Sequence, residues 1–362
     1  MRKATLATVV ALSLAIAGCA TTTDDAAKDG STTTKQESGA PAAGAALTIG
    51  TTDKITSLDP AGSYDAGSFL VMNQVYGFLM NSVPGDGGAS PSPDIAESAE
   101  FTSPTEYTVK LKKDLKFANG HDLTSSDVKF SFDRQVGIAD PNGPASLLGN
   151  MEKVDAPDDT TVVFTLKVAN DQTWAQVLSS PAGPIVDEEV FAADKIASDD
   201  EIINGKSFSG PYSVASYSKN DLVSYEKNPN YAGNQPAKTE KVNYKYYTDA
   251  SNLRLNIQEG NIDVAWRSLS ATDIESLGTD DKLVVHYGPG GEIRYLVFNH
   301  DTMPFGAKTP EADPKKAQAV RKAISSMIDR QAVADSVYKG TYTPLWSYIP
   351  DGLPGSGTQF KD

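Results

Sequence analysis

His121, His286, His300 and Cys19 are the residues best equipped for covalent or metal chemistry in this chain of 362, which holds three histidines and one cysteine. Hydrolysis through a serine needs a base within hydrogen-bond reach of the hydroxyl, and no histidine here sits in a motif that supplies one. There is no G-x-S-x-G turn, and the serines after His121, Ser125 and Ser126, read as the start of a helix. Acid pairs stand at Asp158-Asp159, Asp199-Asp200 and Asp280-Asp281, each in a polar stretch where solvation accounts for it. Gly85 to Gly88 and Gly288 to Gly291 lack the lysine and spacing of a phosphate loop. Zinc and its neighbours prefer imidazole and thiolate, both scarce here, so no metal site and no cofactor are expected, although a chelated metal could be carried as cargo. The chain reads as a binder with no catalytic residue.

The elements that would hold such a binding site are clearest between Tyr107 and Arg134. Apolar and polar residues alternate in Tyr107-Thr-Val-Lys-Leu-Lys112, the period of a half-buried strand. A short run, Leu115-Lys-Phe117, precedes Asn119-Gly120, a pair that tolerates the positive φ angles of a tight reversal. Thr124-Ser-Ser-Asp127 then offers a capping box before an apolar stripe at Val128 and Phe132, so a helix is expected there. Elsewhere, Leu47 to Gly50 and Asp159 to Lys167 read as strands, and Ser68 to Met80 as a helix ended by Pro84 to Gly88. Asp249 to Ile262 reads as a helix with Gly260 as its left-handed cap. Asp313-Pro314 opens another helix as cap and first residue.

Length suggests two to three domains with ample core. A net charge of −15 repels phosphate backbones and anionic bilayers alike, so nucleic acid is excluded as a partner. At the amino end, Arg2 and Lys3 precede an apolar run from Ala4 to Ala17, of signal-peptide size and too short to span a bilayer. Ile16-Ala-Gly-Cys19 resembles a bacterial lipobox, which makes Cys19 the lipidated first residue of the mature chain. Residues 1–18 are then a signal peptide. Residues 19–46, rich in Thr, Ala, Ser and Gly and without aromatics, form a flexible tether. The expected location is outside the cytoplasm, anchored to the cell membrane.

Taken in order, the motifs closely resemble those of the family 5 solute-binding proteins, the peptide-binding components of ATP-driven (ABC) importers. The signature at Tyr107 to Arg134 is joined by Leu58-Asp-Pro60, Pro93-Asp-Ile-Ala-Glu-Ser98, Gly210-Pro-Tyr-Ser-Val214, Gly260-Asn-Ile-Asp-Val264, Tyr295-Leu-Val-Phe-Asn299 and Val320-Arg-Lys-Ala-Ile324. The likeness runs from about Thr52 to about Pro350. It implies a mixed α/β, α+β fold of the periplasmic-binding-protein kind, with two hinged lobes and a small inserted sheet domain. Residues 47–85 and 172–289 would form the first lobe, 86–171 the inserted domain, and 290–362 the start of an incomplete third domain. A two-lobed receptor closes on a ligand that binds the closed form better, and a permease can read that closure.

By the same resemblance, Tyr64, Ala66 and Asn73 line the cleft after the Leu-Asp-Pro block. Asn142 and Ala145 join them from the loop after the signature helix, with Trp266 and, on a strand crossing between domains, Arg294 and Tyr295. Arg267 and Arg294 could instead make structural ion pairs. The implied function is a monomeric receptor that hands peptides to permease subunits. Alternatives are a receptor for chelated nickel, an opine or a sugar, or a sensor on the same fold. In peptide-binding members an aspartate late in the third domain pairs with the ligand's amino terminus; no residue here takes that role, and weak binding is expected.

Overall fold

The computed structural model describes residues 46–82, 90–288, 290–351, 353 and 355–361. The expected signal peptide, Cys19 and its tether, and the Pro84 to Gly88 turn lie outside the described residues. From the amino end the chain runs β1 (Leu47–Thr51), helix α1 (Ala66–Val75), short strands β2 (Gly77–Phe78), β3 (Met80–Asn81) and β4 (Ser92–Pro93), then β5 (Ala96–Ser103) and β6 (Glu106–Leu111). Helix α2 (Ser125–Ile138) leads to β7 (Met151–Asp158), β8 (Thr161–Leu166), α3 (Trp174–Val177), β9 (Pro184–Ile185) and α4 (Asp199–Gly205). There follow β10 (Tyr212–Ser218), β11 (Leu222–Lys227), β12 (Lys241–Tyr246), α5 (Ala250–Gln258), β13 (Val264–Ala265), α6 (Ala271–Leu277), α7 (Pro314–Met327) and α8 (Arg330–Ser336).

Two sheets organise these elements. The larger is mixed, in the order β10-β11-β12-β1-β13, with β1 parallel to both β12 and β13. The other is an antiparallel sheet of four strands, β5-β6-β8-β7. The alternating run at Tyr107 is β6, which buries Tyr107, Val109 and Leu111 on one face. The tight reversal after Phe117 is present, with the Gly120 N–H on the Phe117 carbonyl at 3.0 Å, but Gly120 alone of the Asn-Gly pair takes a positive φ, 97°. Helix α2 begins on the full Thr124 and Asp127 capping box, and α7 on Asp313 with Pro314.

Two expectations are corrected. The helix expected over Ser68 to Met80 starts earlier and stops at Val75, because Tyr76 turns extended and Leu79 and Met80 leave for a different core. Ile293 to Asn299, where the resemblance implies a strand crossing between domains, carries no strand structure, so Arg294 and Tyr295 do not lie on one. A strand needs a neighbour to satisfy its backbone groups, and none of the described strands pairs with this segment.

Each sheet has its own core. Under the four-stranded sheet, Phe132, Phe164 and Trp174 meet edge to face with centroids 4.9 and 5.5 Å apart, joined by Phe117, Leu79 and Ile185. Against the five-stranded sheet, α1 packs Val71, Met72 and Val75 with Phe78, Val186 and Phe208. Followed through the fully buried residues described, the chain passes from one core to the other twice, between Phe78 and Leu79 and between Ile185 and Val186. At that crossing the two segments pair as β2 and β9, Gly77 opposite Ile185 and Phe78 opposite Pro184. Alternation along an extended chain is what lets neighbouring residues face different cores.

A buried ion pair sits beside this crossing. Arg134, near the end of α2, donates from Nη1 to Asp59 Oδ1 at 2.8 Å and from Nη2 to Oδ2 at 2.6 Å, both side chains almost wholly inaccessible. Asp59 also accepts from the Ala61 and Ala197 N–H groups, and Arg134 also donates to the Ala192 and Lys195 carbonyls. Phe191 lies 5.3 Å under the guanidinium. Because both carboxylate oxygens accept two bonds each and four of the five guanidinium N–H groups donate, removing one partner strands a buried charge. Asp59→Ala should therefore cost roughly 3–5 kcal/mol in urea unfolding, and Asp59→Leu combined with Arg134→Met clearly less. A single-variant cost below about 1 kcal/mol, the level of a surface pair, would show that the pair does not hold the two parts together.

Candidate functional site

Strands β12, β1 and β13 run parallel, so their carboxyl ends share one edge, the edge at which open α/β sheets bind ligands. The Tyr247 N–H bonds the Thr51 carbonyl and the Trp266 N–H bonds the Gly50 carbonyl, both at 2.8 Å, which fixes the exits of β12 and β13 against that of β1. Beyond β1, Asp53 receives the Thr51 hydroxyl at 3.1 Å and is largely shielded. Past β13, Trp266 is 45 % exposed, and Arg267 and Ser268 follow with φ of 43° and 65°. Two successive non-glycine residues in the left-handed region are strained, a state that persists where the surroundings enforce it.

Arg267 reaches back from this strained turn. Its Nη2 lies 3.0 Å from Asp53 Oδ1 and its Nη1 lies 3.3 Å from Glu292 Oε1. Glu292 Oε2 in turn accepts from Arg294 Nη2 at 3.3 Å, and Arg294 lies over the Tyr342 ring, 5.9 Å from its centroid. Arg267 and Arg294 thus do form the ion pairs weighed for them. Tyr295, next in the chain, is 68 % exposed.

The second group of expected residues lies around the Leu-Asp-Pro turn. Asp59 caps the 3-10 turn Pro60–Gly62, and Asp65 caps α1 through the Ser68 N–H at 2.8 Å. Tyr64 is exposed between these caps, Ala66 is the exposed first residue of α1, and Asn73 is half-buried two turns on. From the other core comes the loop after α2, where the Asn142 N–H bonds Asp140 Oδ1 at 2.8 Å. A Cβ on Gly143 would stand 2.1 Å from the Ala61 carbonyl oxygen, so only glycine lets this loop rest on the turn. Asn142 is exposed there, and half-buried Ala145 opens the next 3-10 turn. The structure thus gathers Asn142 and Ala145 beside the turn that carries Tyr64, and Trp266 and Arg294 around Arg267. The backbone at Lys54 joins the groups, following Asp53 and lying against Gly67 of α1. Sequence reasoning missed Asp53 and Glu292, which carry no motif; only their charge opposite Arg267 singles them out.

The residues considered for catalysis are placed otherwise. His121 sits at the base of the tight turn with Nδ1 2.8 Å from Asp187 Oδ2, a carboxylate that also accepts from Asn119 at 2.9 Å. No serine hydroxyl bonds a histidine among the described residues, and Ser125 donates instead to the Asp158 carbonyl. Hydrogen bonds from Thr161 and Thr160 hold Asp158 down at about 2, as befits an acid in a turn. Asp199 departs from the solvated loop expected of it: it opens α4, accepts from the Leu58 N–H at 3.0 Å and from the Tyr217 hydroxyl at 2.8 Å, and is mostly shielded. Among the described residues, no group of three or more His, Cys, Asp or Glu is arranged to hold a metal ion, and no helix is long and apolar enough to cross a membrane.

Residues 90–362 match the sequence model of the bacterial extracellular solute-binding proteins, family 5 Middle. A probable D,D-dipeptide-binding periplasmic protein of Escherichia coli is 30% identical over 318 residues, covering 85% of this chain and 58% of that protein. The fold is shared with a periplasmic binding protein of Helicobacter pylori in complex with the peptide STSA, with a TM-score of 0.70, 20% identity and coverage of 88% of this chain and 63% of that one. It is shared also with a Staphylococcus aureus protein in complex with Ni(L-His)2, at a TM-score of 0.63, 19% identity and coverage of 85% and 59%. The chain spans about three fifths of the length of these proteins.

Two groups beside the Asn119-Gly120 turn give the protein a pH response. The hydrogen bond to Asp187 raises His121 above its ordinary value of 6.5. Burial raises Asp127 from 3.8 to about 6, against the opposing pull of N–H groups from Thr124 and Glu188. Both bind protons more tightly when folded, so both contributions to stability are full at low pH and fade as pH rises. For Asp127 the fade runs between about pH 4 and 6, and for His121 it lies above pH 6.5. The stability gap between the native chain and His121→Gln should therefore shrink as urea unfolding is repeated from pH 6 to 9; a gap that widens would contradict the pairing.

Proposed function

We propose, because this chain belongs to the bacterial extracellular solute-binding proteins of family 5, that it captures a peptide outside the cytoplasm and presents it to the permease subunits of an ATP-driven importer. The observation that carries the reading is the family match over residues 90–362; the dipeptide-binding relative supports a peptide as cargo. The geometry is consistent with it. Tyr64 and Trp266 are exposed, flat apolar faces with a polar edge of the kind that suits a ligand cleft, and in this reading Ala66, Asn73, Asn142, Ala145, Arg294 and Tyr295 are further contacts. In this reading the four-stranded sheet is the inserted domain, its core reaching back to Leu79 and on to Ile185, the five-stranded sheet is the first lobe, and residues 290–362 open the second. The receptor works as a monomer, without catalysis or cofactor.

A second reading takes a chelated metal as cargo, which the fold's likeness to the Ni(L-His)2 complex supports. Titration with tri-alanine and with nickel–histidine separates the two, read by tryptophan emission. With tri-alanine, emission should change, and Trp266→Ala should weaken binding about tenfold or more, the loss typical of a buried aromatic anchor. A response to nickel–histidine alone would move the cargo to the second reading. Peptide cleavage without a saturable emission change would end both.

The anchor belongs to the same proposal: Cys19 carries diacylglycerol and holds the body at the membrane. Labelled palmitate fed to expressing cells should mark the native chain and leave Cys19→Ala unmarked and released. Equal labelling of both would place the lipid elsewhere.

A further inference from the structure

We propose that Arg267 and Arg294 form a clamp for a carboxylate of the cargo, and that Glu292 fills this clamp as an internal stand-in until cargo displaces it. The inference rests on the receptor reading and names the chemical class that its pocket selects. One carboxylate here is shared by two guanidinium groups, Glu292 Oε1 with Arg267 and Oε2 with Arg294, each at 3.3 Å. Each guanidinium gives a single nitrogen to one oxygen, short of the two-bond fork that a planar guanidinium can make with a carboxylate, and both contacts are longer than the 2.7–2.9 Å or so of a well-made charged bond. Glu292 is also more than half exposed, so little desolvation opposes its departure.

The arginines themselves are held in place. Arg267 keeps its other edge on shielded Asp53, 3.0 Å away, and its backbone is fixed in the left-handed region just after the Trp266 N–H bonds the Gly50 carbonyl. Arg294 rests on the Tyr342 ring and donates to its hydroxyl at 3.3 Å. The charges Asp53, Arg267, Glu292 and Arg294 alternate in sign and sum to zero. A cargo carboxylate in place of Glu292 preserves that balance, while a neutral group leaves one guanidinium uncompensated. In a chain whose net charge of −15 repels anions, such a local clamp is what would hold the free carboxyl end of a short peptide beside Trp266.

The full chain and its Glu292→Gln variant are titrated with tri-alanine and tri-alanine amide, followed by tryptophan emission, and with acetate, followed by the arginine Nε–H resonances. Removing the stand-in should tighten tri-alanine about tenfold and leave the amide unchanged, and Arg267→Gln should erase the preference for the acid. Equal effects of Glu292→Gln on acid and amide, or none on either, would overturn the clamp and leave the receptor reading standing. If neither peptide binds, the peptide reading falls and acetate decides the clamp. Arginine shifts larger in Glu292→Gln than in the native chain would uphold it, and unchanged resonances would sink it.

Discussion

The Asp59–Arg134 pair is the constraint on which the arrangement depends. Burying two charges costs several kcal/mol each, and attraction alone does not reliably offset that. It is tolerable here because the geometry is bidentate and because the Ala61 and Ala197 N–H groups complete the carboxylate's shell while the Ala192 and Lys195 carbonyls take two further guanidinium donors. Those partners come from the Leu-Asp-Pro turn and the segment before α4, and Arg134 itself comes from the end of α2. Satisfying one pair of side chains therefore fixes three backbone segments. With the end of α2 fixed, the loop that follows it has one place to go, and Gly143 lets it come to rest on Ala61.

Next to this tie, the ladder of β2 and β9 is slight, with two residues on each side. Alone it would serve as a hinge between the two cores. The ion pair bridges the same junction from another direction, so the four-stranded and five-stranded sheets behave as one body. In the proposed receptor, movement that encloses a ligand would arise beyond β13, where the strained Trp266-Arg267-Ser268 turn begins a stretch with few buried residues among those described.

What the sequence revealed followed range. The capping box at Thr124, the alternation of β6, the tight turn at Gly120 and the Asp313-Pro314 helix start are set by neighbours within four residues, and the structure keeps all of them. Both halves of the central ion pair lay inside recognised motifs, but 75 residues separate them, and no local pattern says that they meet. Val75 ends α1 early for a similar reason, since Leu79 and Met80 gain more by entering the other core than by extending a helix. Ile293 to Asn299 shows the converse: the resemblance implies a strand there, and the neighbour that would make it one is not among the described strands. The candidate site was legible as segments, through Tyr64, Asn142 and Trp266, but the charges that organise one side of it, Asp53 and Glu292, were not.

Strand β1 sits inside the larger sheet, yet its partners are Val242 to Tyr246 on one side and Val264 and Ala265 on the other. A chain that emerges amino end first must carry this segment unpaired until almost two hundred further residues have appeared, with the four-stranded sheet free to assemble in the meantime. The first piece of the body to leave the ribosome or a translocation pore is thus among the last to find its place. Through that interval a holding chaperone, more than any local preference, would keep Leu47 to Thr51 from pairing with the wrong edge.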